Sequence, residues 1–121
     1  MAKAVADAVL DAALDKIATA TIMTACSAEP TTRAEAVTTY ALADVVTSSG
    51  DFAKANGDTS GRKVTVAQKS GVTVDATGDA THVALCDGTD LLYVTICTSQ
   101  TLTSGNTMTF GSWKVEIGDP T

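Results

Sequence analysis

Turn-forming residues interrupt most of the chain at short intervals, and this spacing limits the folds that it can adopt. From residue 19 onward, short stretches that alternate apolar and polar residues are separated by pairs such as Asn56-Gly57 and Asp87-Gly88. Breaks roughly every ten residues are the spacing of an antiparallel β-sandwich or barrel. We therefore expect residues 19–121 to form one mainly β domain, an antiparallel, jelly-roll-like β-sandwich.

The strongest hairpin signal is Asp87-Gly88, because it lies between two apolar runs. The preceding run, ATHVALC, and the following run, LLYVTICT, are predicted to be its two strands. The last strand is predicted at residues 113–117, where Trp, Val and Ile alternate with Lys and Glu. Residues 40–46 fit a strand and a helix equally well. The polar, glycine-rich residues 49–61 are interpreted as an exposed loop.

The N-terminal residues follow a helical period over residues 2–17 instead of an alternating one. One polar stripe is formed by residues spaced four apart, namely Lys3, Asp7, Asp11 and Asp15. The apolar side is formed by Val5, Val9, Leu10, Ala13, Leu14 and Ile17. An amphipathic helix of this length is marginal in isolation, so its apolar side must pack against something. Residues 1–18 are therefore expected either to dock on another subunit or to cover one face of their own sandwich.

The composition limits the class of protein. With 121 residues, the chain is long enough for one domain with a modest core and too short for two. Apolar residues make up 45%, but no apolar run approaches the length of a membrane span, so we expect a soluble domain without membrane contact. The net charge is −6 and the basic residues do not cluster, so nucleic acid is not an expected partner.

The acidic N-terminus and the small aromatic content bear on location and assembly. Asp7, Asp11 and Asp15 interrupt any hydrophobic signal-peptide region, so we expect synthesis in the cytoplasm. Aromatic residues make up only 4%, so the core buries little area per residue and the domain is marginal alone. Because oligomerisation is a common remedy, we expect the chain to associate with itself.

No residue pattern in the sequence predicts catalysis or cofactor binding. His82 is the only histidine, and it lies in a predicted strand, where hydrogen bonds or solvent contact account for it. Without a second histidine or a CxxC pair, a zinc site is not expected. The loop residues Asp75, Asp79, Asp87 and Asp90 lack the spacing of a calcium loop and are expected to form turns. We therefore expect no enzymatic activity, no cofactor and no metal.

Three cysteines leave at least one thiol without a partner inside the chain. Cys86 lies beside the predicted hairpin turn, opposite residue 91, whereas Cys97 is expected opposite residues 78–80. These two residues are therefore too far apart for a disulfide bond. Two interpretations stay open for Cys26, Cys86 and Cys97. They are buried thiols that act as small apolar residues, or they form a disulfide bond between subunits once the assembly meets an oxidising medium.

Several segments stand in a distinctive order along the chain. The N-terminal helix is followed by TACSAEPTTRAEA, then by FAKANGDTSGRKVTVA, and then by a long block over residues 81–120. This order resembles that of small structural proteins of tailed bacteriophages, in which an LxDAxLxxI helix leads into a strand ending in xxP. The closing block of those proteins has the form (T/N)HVALxDG…LLYVT…LTxGNTxxxxxWxxEIxDP. The resemblance covers nearly the whole chain.

This resemblance implies a β-sandwich virion protein without enzymatic activity. The implied role is that of an accessory subunit, such as a capsid decoration (cement) protein or a collar or neck spike. The implied partners are further copies of the chain, with a homotrimer favoured, and other phage structural proteins of the capsid, collar or tail. The alternative is a receptor- or carbohydrate-binding module of a tail fibre, for which only Tyr40, Tyr93 and Trp113 offer rings for stacking.

Overall fold

The computed structural model of the protein describes residues 6–118, and within them the chain forms one α-helix and nine strands. The helix is α1 (Asp7–Ile17). The strands are β1 (Ile22–Cys26), β2 (Ala41–Val46), β3 (Phe52–Asn56), β4 (Arg62–Val66), β5 (Lys69–Thr73), β6 (Gly78–Cys86), β7 (Leu91–Leu102), β8 (Thr107–Phe110) and β9 (Trp113–Ile117). A π-helical turn at Glu35–Thr39 precedes β2, and a 3₁₀ turn at Ser49–Asp51 precedes β3.

The strands pair into three antiparallel sheets. A four-stranded sheet has the order β2-β1-β6-β7, a three-stranded sheet the order β3-β4-β9, and β5 pairs with β8. The prediction of a mainly β fold with antiparallel sheets and an N-terminal helix is confirmed. The strands divide four, three and two, whereas a jelly roll divides eight strands between two sheets.

One apolar core joins the three sheets. It draws Met23 and Leu85 from the four-stranded sheet, Val64 and Val115 from the three-stranded sheet, and Phe110 from β8. Side chains of all three sheets are therefore buried together in this core. The predicted alternation in the last strand is present, since Val115 is buried while its neighbours Lys114 and Glu116 are exposed.

A second, smaller cluster covers the outer face of the four-stranded sheet. It consists of Cys26, Ala36, Ala84 and Cys86. Ala36 belongs to the π-helical turn, so this turn acts as a lid over the middle of the sheet. As a result β1 is covered on both faces, which explains why four of its five residues are buried.

Helix α1 packs on its own domain. Leu10 and Leu14 are buried, and Leu14 belongs to the main core together with half-buried Ile17. The predicted helix begins at residue 2, and its residues 2–5, which include the predicted docking residue Val5, lie outside the described residues. Among residues 6–118, no helix has the length and apolar character that crossing a bilayer requires.

The polar stripe of α1 also faces the domain. Asp11 Oδ1 accepts a hydrogen bond from Arg62 Nε at 2.8 Å, and Asp15 Oδ1 lies 2.6 Å from Lys54 Nζ. These pairs attach the helix to β4 and β3. The helix therefore covers part of the β domain of its own chain, which is one of the two roles that the sequence left open.

The interpretation of residues 49–61 as an exposed loop is wrong for residues 52–56, whereas residues 57–61 lie in the connection between β3 and β4. Phe52–Asn56 forms β3, which pairs along its length with β4, and Phe52 is buried. The side chains that follow Phe52 in this strand are exposed, so the segment lacks the apolar alternation that would have predicted it. Of the two alternatives for residues 40–46, the structure has the strand, from Ala41.

Candidate assembly surface

Cys26 and Cys86 are enclosed on the outer face of the four-stranded sheet. Both side chains are fully buried, and the Cys26 thiol lies 3.5 Å from the Ala36 carbonyl oxygen, to which it donates. Burial raises the pKa of both thiols, so they stay protonated over a wide range of pH. A bond from either sulfur to another subunit would require the π-helical turn to lift away.

Cys97 lies on β7, outside the cluster that encloses the other two thiols. It is half-buried, all three cysteines are free, and its Sγ lies 3.8 Å from the Ala80 carbonyl oxygen. Cys86 pairs with Leu91 across the hairpin, as the sequence predicted, so Cys86 and Cys97 are not opposite each other. Of the three predicted bridging residues, Cys97 is the one with partial access to solvent, and its bond to another subunit stays a prediction.

The predicted docking residues of α1 divide between the core and the surface. Leu10 and Leu14 are buried against the chain's own domain, and Ile17 is partly buried there, so docking of these residues on another subunit stays a prediction that would compete with these contacts. Val9 points away from the core and is 61% exposed. It is the one predicted docking residue within the described helix that is free to contact a partner.

The polar residues singled out in the sequence have local roles. His82 is half-buried on β6, and its Nδ1 lies 2.8 Å from Thr81 Oγ1. Asp87 Oδ1 accepts backbone N–H bonds from Thr89 and Asp90, which holds the hairpin turn as predicted for a turn-forming aspartate. Within residues 6–118, no three His, Cys, Asp or Glu side chains come together as a metal site would require.

An uncharged stretch dominates the second half of the fold. No charged residue occurs between Asp90 and Lys114, although charged residues make up 18% of the chain. This stretch contains β7, the turn after it, and β8. This absence of charge can be seen in the sequence. It could not be interpreted there, because the sequence does not show that β7 is an edge strand.

The four-stranded sheet has one covered edge and one free edge. At the β2 edge, the backbone N–H groups of Asp75 and Ala76 donate to the Leu42 carbonyl oxygen at 2.7 and 3.1 Å, and Ala43 pairs with Val74. Nothing among the described residues pairs with the outer side of β7. This free edge is also the longest strand of the fold.

The edges of the three-stranded sheet differ from β7 because they carry charges. β3 contains Lys54, which is paired with α1, and β9 contains Lys114 and Glu116. Charged side chains on an edge strand oppose pairing with another chain. Within residues 6–118, β7 is the one edge strand of the two larger sheets without a charged residue, and helix α1 packs against part of it.

A cleft of about 270 Å³ opens beside β7. Its walls come from β7 on one side and from β8 and Trp113 on the other, with Ala25 and Val83 among the residues of its lining. The rings of Tyr93 and Trp113 stack with centroids 5.8 Å apart. The Trp113 Nε1–H group is buried without an acceptor among the described residues. The cleft therefore leaves a gap between β7 and β8 on this side of the domain.

Neither a protein-family model, nor a curated protein, nor a solved structure matches this chain significantly. What the chain does must therefore be inferred from its own residues. The structure brings two predicted site residues together, Cys26 and Cys86, and it buries both. The uncharged edge of β7 and the cleft beside it are the candidate surface of this domain, and we call β7 together with this cleft the open edge.

Proposed function

We propose that the chain is a non-enzymatic structural subunit of a tailed-bacteriophage virion, an accessory protein such as a capsid decoration protein or a collar or neck spike. The observation that carries this proposal is the block over residues 81–120, which resembles the closing block of such proteins. Its described part covers most of β6 and all of β7, β8 and β9. The resembling residues thus contribute strands to all three sheets.

The open edge supports a role in assembly. A virion subunit works through contacts with its own copies and with neighbouring structural proteins, and it needs a surface that favours such contacts. A long edge strand without charge is a surface of this kind. The partners that we propose are further copies of the chain, with a trimer favoured, and proteins of the capsid, collar or tail.

The receptor-binding alternative lacks a supporting observation. Carbohydrate-binding surfaces present exposed aromatic rings for stacking. Tyr93 and Trp113 stack on each other, and both are half-buried, as is Tyr40. The three rings available for stacking on a sugar are therefore each partly occupied within the domain.

The proposal is tested on the particles themselves. Virions of the phage that encodes this chain are purified on a density gradient and digested for mass spectrometry, with particle-free gradient fractions as the control. We expect peptides of the chain to follow the major capsid protein at a fixed ratio, and a gold-labelled antibody to mark one site on the particle. If the chain appears only in the particle-free fractions, the proposed function is wrong.

A further inference from the structure

We propose that two copies of this chain pair through the free half of β7, residues 95–102, and join their four-stranded sheets into one continuous antiparallel sheet. The pairing rests on the proposed function and deepens it by naming a partner for the open edge. It predicts a twofold dimer at this edge, where the resemblance favours a trimer. The partner is a second copy of the chain. The two copies are related by a twofold axis, because antiparallel pairing of a strand with itself is isologous.

The backbone of β7 supplies the bonding groups. An edge strand has a row of N–H and C=O groups that point away from its sheet and can pair with another strand. In β7, the residues before Ile96 are half-buried, whereas Ile96 and residues 98–101 are exposed. The second half of the strand is therefore the part that an incoming strand can reach.

The distribution of charge favours an identical partner at this edge. Each copy has a net charge of −6, so two copies repel each other at most orientations. β7 itself carries no charged side chain, and the nearest acidic groups belong to other segments: Asp79 accepts a hydrogen bond from Thr101, and Glu29 lies beside Ile96. Pairing along β7 therefore places no charge within the new strand ladder. A basic partner would instead be drawn to the acidic parts of the surface, away from β7.

The shape of β7 also favours a second copy. Between the pairs Ala80–Gln100 and His82–Ile96, three residues of β7 stand opposite the single residue Thr81, which makes a bulge. A bulge bends an edge strand and hinders pairing with a straight strand. In a twofold pair of residues 95–102 the two bends lie side by side at the centre, because the bulge lies at the middle of this segment. A second copy therefore has the complementary bend at the required place.

Ile96 gives the pairing an apolar contact. Its side chain is 79% exposed and lies beside Val94 and His82 on the outer face of the sheet. In the paired sheet, side chains of the second β7 lie next to it on the same face and remove part of it from water. The pairing thus covers the most exposed large apolar residue of the described chain.

The test compares two substitutions at exposed apolar residues on the two edge strands of one sheet. Ile96→Lys places a charge on the free edge, and Val46→Lys places the same charge on β2, where Val46 is 75% exposed. Molar mass is measured by light scattering over a range of concentrations, and circular dichroism establishes that both variants fold. We expect a dimer for the wild type and for Val46→Lys, and a dimer dissociation constant raised at least about tenfold in Ile96→Lys.

Hydrogen exchange gives a measurement without substitution. We expect amides within residues 95–102 of the wild type to become protected as the concentration rises through the dimer range. The pairing is overturned if the wild type stays monomeric, if both lysine variants weaken the dimer equally, or if a dimer or trimer forms while these amides stay unprotected. A trimer that leaves these amides unprotected contradicts the pairing and leaves the virion role intact. A chain that forms the β7 dimer but is absent from purified particles refutes the virion role and leaves the pairing intact.

Discussion

At the residue scale, Trp113 combines a favourable contact with an unsatisfied one. Its ring stacks on Tyr93 and joins β9 to β7 across the two larger sheets. Its Nε1–H group is buried without an acceptor among residues 6–118, and leaving such a donor unpaired costs about 1–3 kcal/mol. The indole therefore contributes to stability through its ring faces and loses part of that contribution through its nitrogen.

This balance predicts different results for two substitutions of Trp113. Trp113→Phe keeps an aromatic ring on Tyr93 and removes the unpaired donor, so we expect it to lower the free energy of unfolding by less than about 1.5 kcal/mol. Trp113→Ala removes the ring and is expected to cost about 3 kcal/mol. Urea unfolding of the two variants and the wild type measures both values. Equal losses in the two variants would show that the indole nitrogen has a partner.

At the element scale, α1 acts as a cover for its own domain. Leu14 is fully buried in the core, whereas Val9 on the opposite side of the helix is exposed. The ion pairs of Asp11 with β4 and of Asp15 with β3 hold the helix in the orientation that buries Leu14. The helix thus contributes to the core of each chain before any assembly takes place.

We expect Leu14→Ala to lower the free energy of unfolding by about 2–5 kcal/mol, because it leaves a cavity under the helix. Val9→Ala is the matched control on the exposed side and is expected to change stability by less than about 0.5 kcal/mol. Thermal or denaturant unfolding at low protein concentration measures both. If Leu14→Ala leaves unfolding unchanged and alters only the molar mass, the helix docks on another subunit instead.

Elements with a strong local pattern could be predicted, and elements that depend on distant pairing could not. The Asp87-Gly88 hairpin and β9 were predicted because their turn chemistry and alternation are local. β3 was missed because Phe52 is its one buried residue, and β7 was predicted only to residue 98. Residues 99–101 of this strand are polar and exposed, and they are held as a strand by pairing with the start of β6. The open edge was missed for the same reason, since sheet order depends on distant parts of the chain.

At the scale of the whole molecule, a charged cluster joins segments far apart in the sequence. The Asp58 carboxylate accepts hydrogen bonds from Lys114 Nζ at 2.6 Å and from Lys63 Nζ at 2.5 Å. These bonds lower the pKa of Asp58 to about 2. Asp44 is the opposite case, because desolvation, together with the nearby charge of Asp75, raises its pKa. The two carboxylates therefore affect stability with opposite signs.

The pH dependence of stability follows from these signs. A carboxyl group whose folded pKa is depressed stabilises the fold above its unfolded pKa, near 3.8, and this contribution is lost as the pH falls toward about 2. We expect Asp58→Asn to be less stable than the wild type at neutral pH, with the difference shrinking between pH 5 and pH 2. Asp44→Asn is expected to be more stable at neutral pH, because it removes a charge that the fold disfavours. Denaturant unfolding at intervals between pH 2 and pH 7 measures both differences, and a stability difference for Asp58→Asn that stays constant with pH would contradict the role of the charge.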